Sequence, residues 1–277
     1  PRSITRNAQT KTQNPKSKIK MAIQKTEGIV LRTLPFRSSS LIVTFYTKKK
    51  KKMKGIAKGV RREKETRGAL FELFSHVDMV FYEKMRSDLH LVSEAAIVES
   101  HDAIRRQFET IAYAAYFSEL VDLLTEIYDP HRELFDLLTG TFRFLPSLAP
   151  EKISRIFEIK LLREIGWLPY LEDCAGCRGK AIEEGFFSVA QGSLFCRHCR
   201  RRAPDARMVR AGALEKLRYY IRYGLEDCIR QRTSPHLEEE LKDLIQQFIF
   251  YRLPYPLKSL QFIRATFKAA SRQSTSV

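Results

Sequence analysis

Between Met21 and about residue 99, apolar positions come in short runs rich in β-branched and aromatic side chains; from residue 100 onward they recur every three or four residues. The runs Gly28 to Leu34, Leu41 to Thr47 and Val77 to Tyr82 read as strands, with Pro35 to Ser40 as the first turn. Lys54 to Val60 and Leu89 to Ile97 complete a set of five. Five short strands in under eighty residues predict a small closed barrel of the OB type, which leaves no free edges. An SH3-like barrel needs a similar number of strands, and the pattern alone does not separate the two.

The helical period begins with Ile104, Phe108, Ile111 and Ala115 and continues through Phe117, Leu120, Val121 and Leu124 until Asp129-Pro130 interrupts it. A second helix is expected from His131 to about Phe144. A third runs from Pro150 to a stop at Gly166, with an apolar stripe wide enough for the centre of a bundle. Helices are expected again over Ala211 to Arg230, Pro235 to Arg252 and near Leu257 to Lys268. The fold class is therefore α+β and multidomain: an N-terminal OB-type β-barrel, then an all-α helical domain with an inserted four-cysteine zinc knuckle. The expected divisions are a disordered basic extension (1–21), the barrel (22–99), helices (100–171), the knuckle (172–203), helices (204–270) and a disordered tail (271–277).

The insert is defined by two C-x-x-C pairs, Cys174/Cys177 and Cys196/Cys199, which use four of the five cysteines. Each pair lets two thiolates converge on one ion from a tight turn, and two pairs close the tetrahedron Zn²⁺ prefers, leaving no position for a catalytic water. The metal is then structural, giving a fold to a segment with too few apolar residues for a core of its own. Disulfide pairing is the alternative, and nothing else in the chain suggests secretion. His198 could replace Cys199 as fourth ligand. Cys228, in a helical stretch, reads as a buried small residue.

Composition changes the picture through charge. The net charge of +17 is concentrated: residues 1–20 carry six basic side chains and no acid, residues 48–67 a net +9, and residues 197–210 a net +5, leaving the remainder slightly acidic. Clustered positive charge on a balanced protein suits a polyanion, because neutralising phosphates releases condensed counterions. Residues 1–20 contain only Ile4 and Ile19 as large apolar groups and are expected to be disordered. Their Arg and Ser content resembles a transit peptide without its amphipathic face, and an upstream extension of the reading frame fits equally. No window approaches the roughly 18 uninterrupted apolar residues of a membrane span.

Catalytic constellations are not found. Asp102 after His101 reads as a helix N-cap, Ser38 to Ser40 as a turn without the G-x-S-x-G context, and Glu238 to Glu240 as an acidic helix start. No phosphate-binding G-x-x-x-x-G-K-[ST] loop is present.

Four segments taken in order, Glu27 to Arg32, Ser39 to Thr44, Gly55 to Arg62 and Leu161 to Pro169, resemble the RecO family of bacterial recombination mediators, over roughly Met21 to Ala270. The resemblance implies binding of single- and double-stranded DNA, annealing of complementary strands, and help in loading the RecA recombinase onto strands coated by single-stranded-DNA-binding protein. It implies RecR and the acidic, apolar C-terminal tail of that coating protein as partners, no membrane, a non-enzymatic role and a cytoplasmic, nucleoid-associated location. Family members usually turn the second hairpin with a glycine-containing loop, whereas this chain has five consecutive lysines, so a longer, mobile loop is expected there. The phosphate contacts expected are Lys48, Lys49, Lys50, Lys51, Lys52, Lys54, Lys58, Arg61, Arg62 and Arg67. Arg197, Arg200, Arg201 and Arg202 form a second contact beside the zinc. The rival reading is an RNA-binding or ribosome-associated protein, which an OB barrel, a zinc knuckle and a basic tail would equally serve; a zinc nuclease is disfavoured by the closed four-sulfur set.

Overall fold

The computed structural model describes residues 22–60, 68–84, 87–125, 131–179 and 184–273, with Lys51, Glu184 and residues 268–273 described by backbone alone. Strands β1 (Ala22–Phe36), β2 (Ser40–Thr47), β3 (Lys51–Ala57), β4 (His76–Glu83) and β5 (Leu89–Glu99) close a barrel in the order β1-β2-β3-β5-β4. β3 and β5 are parallel and every other pair is antiparallel. That order is the OB arrangement, which resolves the ambiguity between the two barrel types.

β1 is long enough to serve two neighbours, pairing with β4 over Ala22 to Ile29 and with β2 over Gly28 to Phe36. A register shift between Val30 and Arg32 turns the strand. Val30 joins Val43, Phe45, Val77, Met79 and Phe81 inside the barrel. Ile29, Leu31, Tyr46 and Phe74 face outward, yet they are buried, because the helical domain packs on them. Each such side chain contributes roughly 1.5–3 kcal/mol by leaving water. Gly55 is the close approach inside the barrel: a Cβ there would lie 2.6 Å from Val92 Cγ2 and 3.2 Å from Phe45 Cε2.

Eight helices follow among the described residues: α1 (Asp102–Arg105), α2 (Phe108–Leu124), α3 (Arg132–Phe144), α4 (Pro150–Glu164), α5 (Ala211–Arg222), α6 (Leu225–Arg230), α7 (Pro235–Arg252) and α8 (Lys258–Gln273). Two expected helices are broken. The first divides at Arg106-Gln107, and the stretch Ala211 to Arg230 divides at Tyr223-Gly224. Asp102 lies inside the first turn of α1 rather than capping it; His101 takes the N-cap position at φ 54°. α8 reaches Gln273, into the segment expected as a disordered tail, and its first amides are capped across the fold by Glu119 of α2, which accepts from the N–H groups of Lys258 (3.0 Å) and Ser259 (2.9 Å).

α4 is the hub, packed against α2, α3, α5, α6 and α7. Pro150 starts it. Gly166 ends it at φ 73°, with N–H bonds from Gly166 to Arg163 O and from Trp167 to Leu162 O, the paired closure that satisfies terminal carbonyls. Because every side of α4 is covered, its polar residues must be paired. Glu158 receives Arg155 at 2.6 Å and 2.9 Å and the Tyr116 hydroxyl at 2.5 Å, all fully or almost fully buried.

The insert between α4 and α5 is a three-stranded sheet, β6 (Glu184–Ser188), β7 (Ser193–Phe195) and β8 (Arg207–Arg210), in the order β7-β6-β8. Residues 204–210, expected among the helices, therefore contribute a strand to this sheet. The insert also has a core, contrary to expectation: Phe186, Phe195 and Ala203 pack around Cys174 and Cys196, while Phe187, Leu194 and Val209 enter the helical core.

Two histidines lie where barrel and helices meet. His76 Nε2 is 3.0 Å from Glu27 Oε2 and stands edge-on to Phe135; His101 Nδ1 is 3.5 Å from Glu99 Oε1 and edge-on to Phe142. Burial pushes both down, only partly opposed by Glu27 at His76 and Glu99 at His101, and His101 falls to about 4. Both imidazoles are neutral in the folded protein and gain protons on unfolding, so acid favours the unfolded chain. Their stabilisation is complete above the ordinary value of 6.5 and is lost as pH falls below it, for His101 down to about 4. A thermal-melting series against pH is expected to show this decline, flattened in His101→Asn, a residue that tolerates positive φ.

Candidate nucleic-acid interface and metal centre

The sequence places Lys48 to Lys52 in one basic run, and the fold assigns them different tasks. Lys48 to Lys50 make a short turn between paired Thr47 and Lys51, closed by the Lys50 N–H donating to Thr47 Oγ1 at 3.1 Å. None of the three has positive φ, so neither glycine nor the expected longer loop is needed. Lys48 pairs with Glu27 at 3.0 Å and lies 5.8 Å from the Phe135 ring centroid. Lys50 pairs with Glu83 at 3.3 Å. Lys52, with 14% of its side chain exposed, pairs with Asp122 of α2 at 3.1 Å and donates to that residue's carbonyl. Lys52 thus ties barrel to helices, Lys48 pairs within the barrel beside the Phe135 ring, and only Lys49 of the four described lysines is both exposed and without an acidic partner among the described residues.

The free cations lie further along the same face. Outward positions of four strands form two cross-strand rows: Arg32, Thr44, Lys54 and Leu89, then Leu34, Ile42, Ile56 and Leu91. Arg32, Lys54 and the following Lys58 are exposed with no ion-pair partner among the described residues, and Leu34 is 43% exposed. The result is an aliphatic strip bordered by cations, with neighbouring strands about 4.8 Å apart. Sequence reasoning identified Lys54 and Lys58 but missed Arg32, Leu34, Ile42, Ile56 and Leu91; the available signal was the two-residue spacing of Arg32 with Leu34 and Lys54 with Ile56. The aromatics Phe45 and Tyr46 of β2 are both buried and offer no ring for base stacking. Arg61, Arg62 and Arg67 lie outside the described residues, as does the Lys51 side chain.

In the insert, the ligand atoms of Cys174, Cys177, Cys196 and Cys199 all lie within 4.8 Å of one another, with Cys177 and Cys196 sulfurs 3.9 Å apart. A tetrahedron with metal–sulfur bonds of about 2.3 Å has edges of about 3.8 Å. His198 is exposed and outside the cluster, so the four-sulfur set needs no histidine. Burial pushes the Cys174 thiol up, but N–H groups of Cys196, Cys177 and Gly176 outweigh it and bring it down to about 6. Burial and the surrounding thiols push Cys199 up to about 12. One thiolate forms readily and the last requires a cation to offset its neighbours. The residues therefore fit a metal ion.

The arginines beside this centre also diverge. Arg197 and Arg201 are exposed without partners among the described residues, Arg200 stands over the Phe186 ring at 4.6 Å, and Arg202 donates to Gly176 O at 3.0 Å, bracing one cysteine turn against the other. Cys228 is fully buried under the carbonyls of Tyr220 and Tyr223, as expected for a packed thiol. No helix among the described residues is long and apolar enough to cross a membrane.

A five-stranded OB barrel with a cationic outer face, fused to a helical body that carries four clustered cysteines able to hold a metal ion, defines the class of this protein. Residues 21–101 match the family described as "Recombination protein O N terminal" and residues 105–261 match "Recombination protein O C terminal". The chain belongs to the RecO family. Its relatives include proteins named "DNA repair protein RecO" from Syntrophus aciditrophicus (32% identical, 87% of this chain and 95% of the relative) and Symbiobacterium thermophilum (31%, 88% and 97%). That of Halalkalibacterium halodurans is 29% identical over 86% of this chain and 93% of its own length.

Chelation of the metal is expected to expose Phe186 and Phe195 and loosen the insert, seen as loss of amide-exchange protection across residues 184–210 with the barrel strands unaffected. Lys54→Glu with Lys58→Glu is expected to weaken DNA binding for all sequences and flatten its salt dependence, while Lys48→Ala with Lys52→Ala mainly lowers the melting temperature.

Proposed function

We propose that this protein is a DNA-repair and recombination mediator that binds single- and double-stranded DNA, anneals complementary strands and helps load RecA onto strands coated by single-stranded-DNA-binding protein. Family membership supports the class, and the unpaired cations bordering the aliphatic strip of the barrel are the observation that carries the DNA contact. On the barrel, phosphates are neutralised by Lys49, Lys54 and Lys58, three of the expected contacts, with Arg32 added to them, and beside the metal centre Arg197 and Arg201 remain exposed. Annealing follows from holding two polyanions on one cationic face, which removes their mutual repulsion. No step needs a catalytic residue.

The metal is Zn²⁺ in this reading, held by Cys174, Cys177, Cys196 and Cys199 as a structural brace; the bound ion supplies charge neutralisation to four crowded thiolates and no chemistry beyond it. RecR and the acidic tail of the coating protein are the protein partners. Of the helical arginines, Arg218 donates to Leu171 O and Arg230 pairs with Glu226 and Asp227, so both are engaged within the fold. A groove of about 380 Å³ lined by Phe250, Leu253, Leu257, Leu260 and Arg264 offers the apolar wall and cation such a tail requires. The location is cytoplasmic and nucleoid-associated.

The test is annealing of complementary oligonucleotides, one pre-coated with single-stranded-DNA-binding protein, without ATP. Acceleration on the coated strand is expected, reduced in the Lys54→Glu, Lys58→Glu variant. Failure there, combined with stronger binding to RNA than to DNA of one sequence, would overturn the mediator reading in favour of the RNA-binding one.

A further inference from the structure

The segment leaving α4 for the first cysteine pair reads Trp167-Leu168-Pro169-Tyr170. Leu168 packs against the helical core and Pro169 is buried, while Trp167 and Tyr170 remain 38% and 37% exposed. Tyr170 is held by its backbone, donating its N–H to Gly192 O at 2.7 Å and accepting from the Leu194 N–H at 3.1 Å. Its ring is therefore presented by the sheet and is not needed to hold the segment in place.

The first metal turn brings a cation to this ring. Arg178 sits at φ 59° at the end of the first cysteine turn, its N–H donating to Cys174 O at 2.8 Å. Its guanidinium donates to the Tyr170 hydroxyl at 3.2 Å and stands 5.6 Å from the ring centroid, with 72% of the side chain exposed. Arg202, from the second turn, reaches the same first turn through Gly176 O. Asp173 lies 3.7 Å from Arg178, which balances it; Glu172 is exposed beside it.

We propose that Trp167 and Tyr170, with Arg178 and Arg202, form a second nucleic-acid site specific for single strands, in which unstacked bases lie on the two rings and phosphates meet the two guanidinium groups. It rests on the DNA-binding reading above and deepens it. Aromatic faces accept bases only where these are free of a duplex stack, whereas cations alone would not discriminate. The barrel face, with its aliphatic strip, contributes charge; the insert contributes strand selectivity. The four-cysteine centre acts indirectly, fixing Arg178 and Arg202 relative to Tyr170.

Trp167 is the sole tryptophan of the chain, so emission excited selectively from tryptophan, where its 11 tyrosines do not absorb, reports on this position. Oligothymidine is expected to quench that emission in step with the anisotropy rise of the same labelled oligomer, while a blunt duplex of equal length binds without quenching. Tyr170→Ala is expected to weaken oligothymidine binding roughly tenfold, within the range for one stacked base, and to leave duplex binding unchanged. Tyr170→Phe, which keeps the ring, retains binding and controls for folding. Chelation of the metal is expected to reduce the quench. Oligothymidine binding with unchanged Trp167 emission and no effect of Tyr170→Ala would overturn this site while leaving the mediator reading intact. Equal quenching by the duplex would overturn its selectivity. Absence of binding to either DNA would overturn both readings.

Discussion

Phe45 and Tyr46 point in opposite directions from β2, and the rest of the molecule depends on that opposition. Phe45 enters the barrel core and Tyr46 the helical core, so one strand builds two interiors. The period of two along a strand makes this obligatory, since neighbouring side chains cannot share a face. The barrel is consequently docked by its own outer surface, with Ile29, Leu31 and Phe74 beside Tyr46. A register slip of one residue would empty both interiors together.

The same alternation organises the cations. Lys52 is opposite Tyr46 and is drawn under the helices to Asp122, whereas Lys54, two residues on and opposite Thr44, lies where the helical domain no longer covers the face. One strand face is thus divided along its length into a sealed half and an open half. Exposed ion pairs such as Lys50 with Glu83 add little to stability. Lys52 matters more, because its partner Asp122 belongs to α2 and ties the strand to the helical domain beside the open half.

α4 performs the corresponding task in the helical body. Its covering by five other helices leaves Glu158 and Arg155 no access to water; the pair is held by its own ion contact and by the Tyr116 and Ser154 hydroxyls donating to Glu158 Oε1, while Arg155 Nε has no hydrogen-bond partner among the described residues. Removing one partner would strand a buried charge at a cost of about 3–5 kcal/mol. The closure at Gly166 then releases the chain toward the metal turns, so the position of the insert is set by the end of the most constrained helix. Phe187, Leu194 and Val209 anchor the insert in that same core.

Periodicity and residue chemistry within the sequence determined the five strands, the four-cysteine cluster and most helix limits, because each rests on local rules: alternation in strands, two C-x-x-C turns, Pro150 at a helix start and Gly166 at its end. The breaks at Gln107 and Gly224 were not legible, since apolar spacing continues through both and the interruption comes from packing. Nor were the fates of Lys48, Lys52 and Arg202, whose partners are 21, 70 and 26 residues away. The seven residues forming the last strand of the insert and its approach resembled nothing regular until β6 provided a neighbour. A run of like charges specifies a potential but not a direction, and only the tertiary structure, by bringing Glu27 and Asp122 to some lysines and solvent to others, decided which cations are left for a ligand.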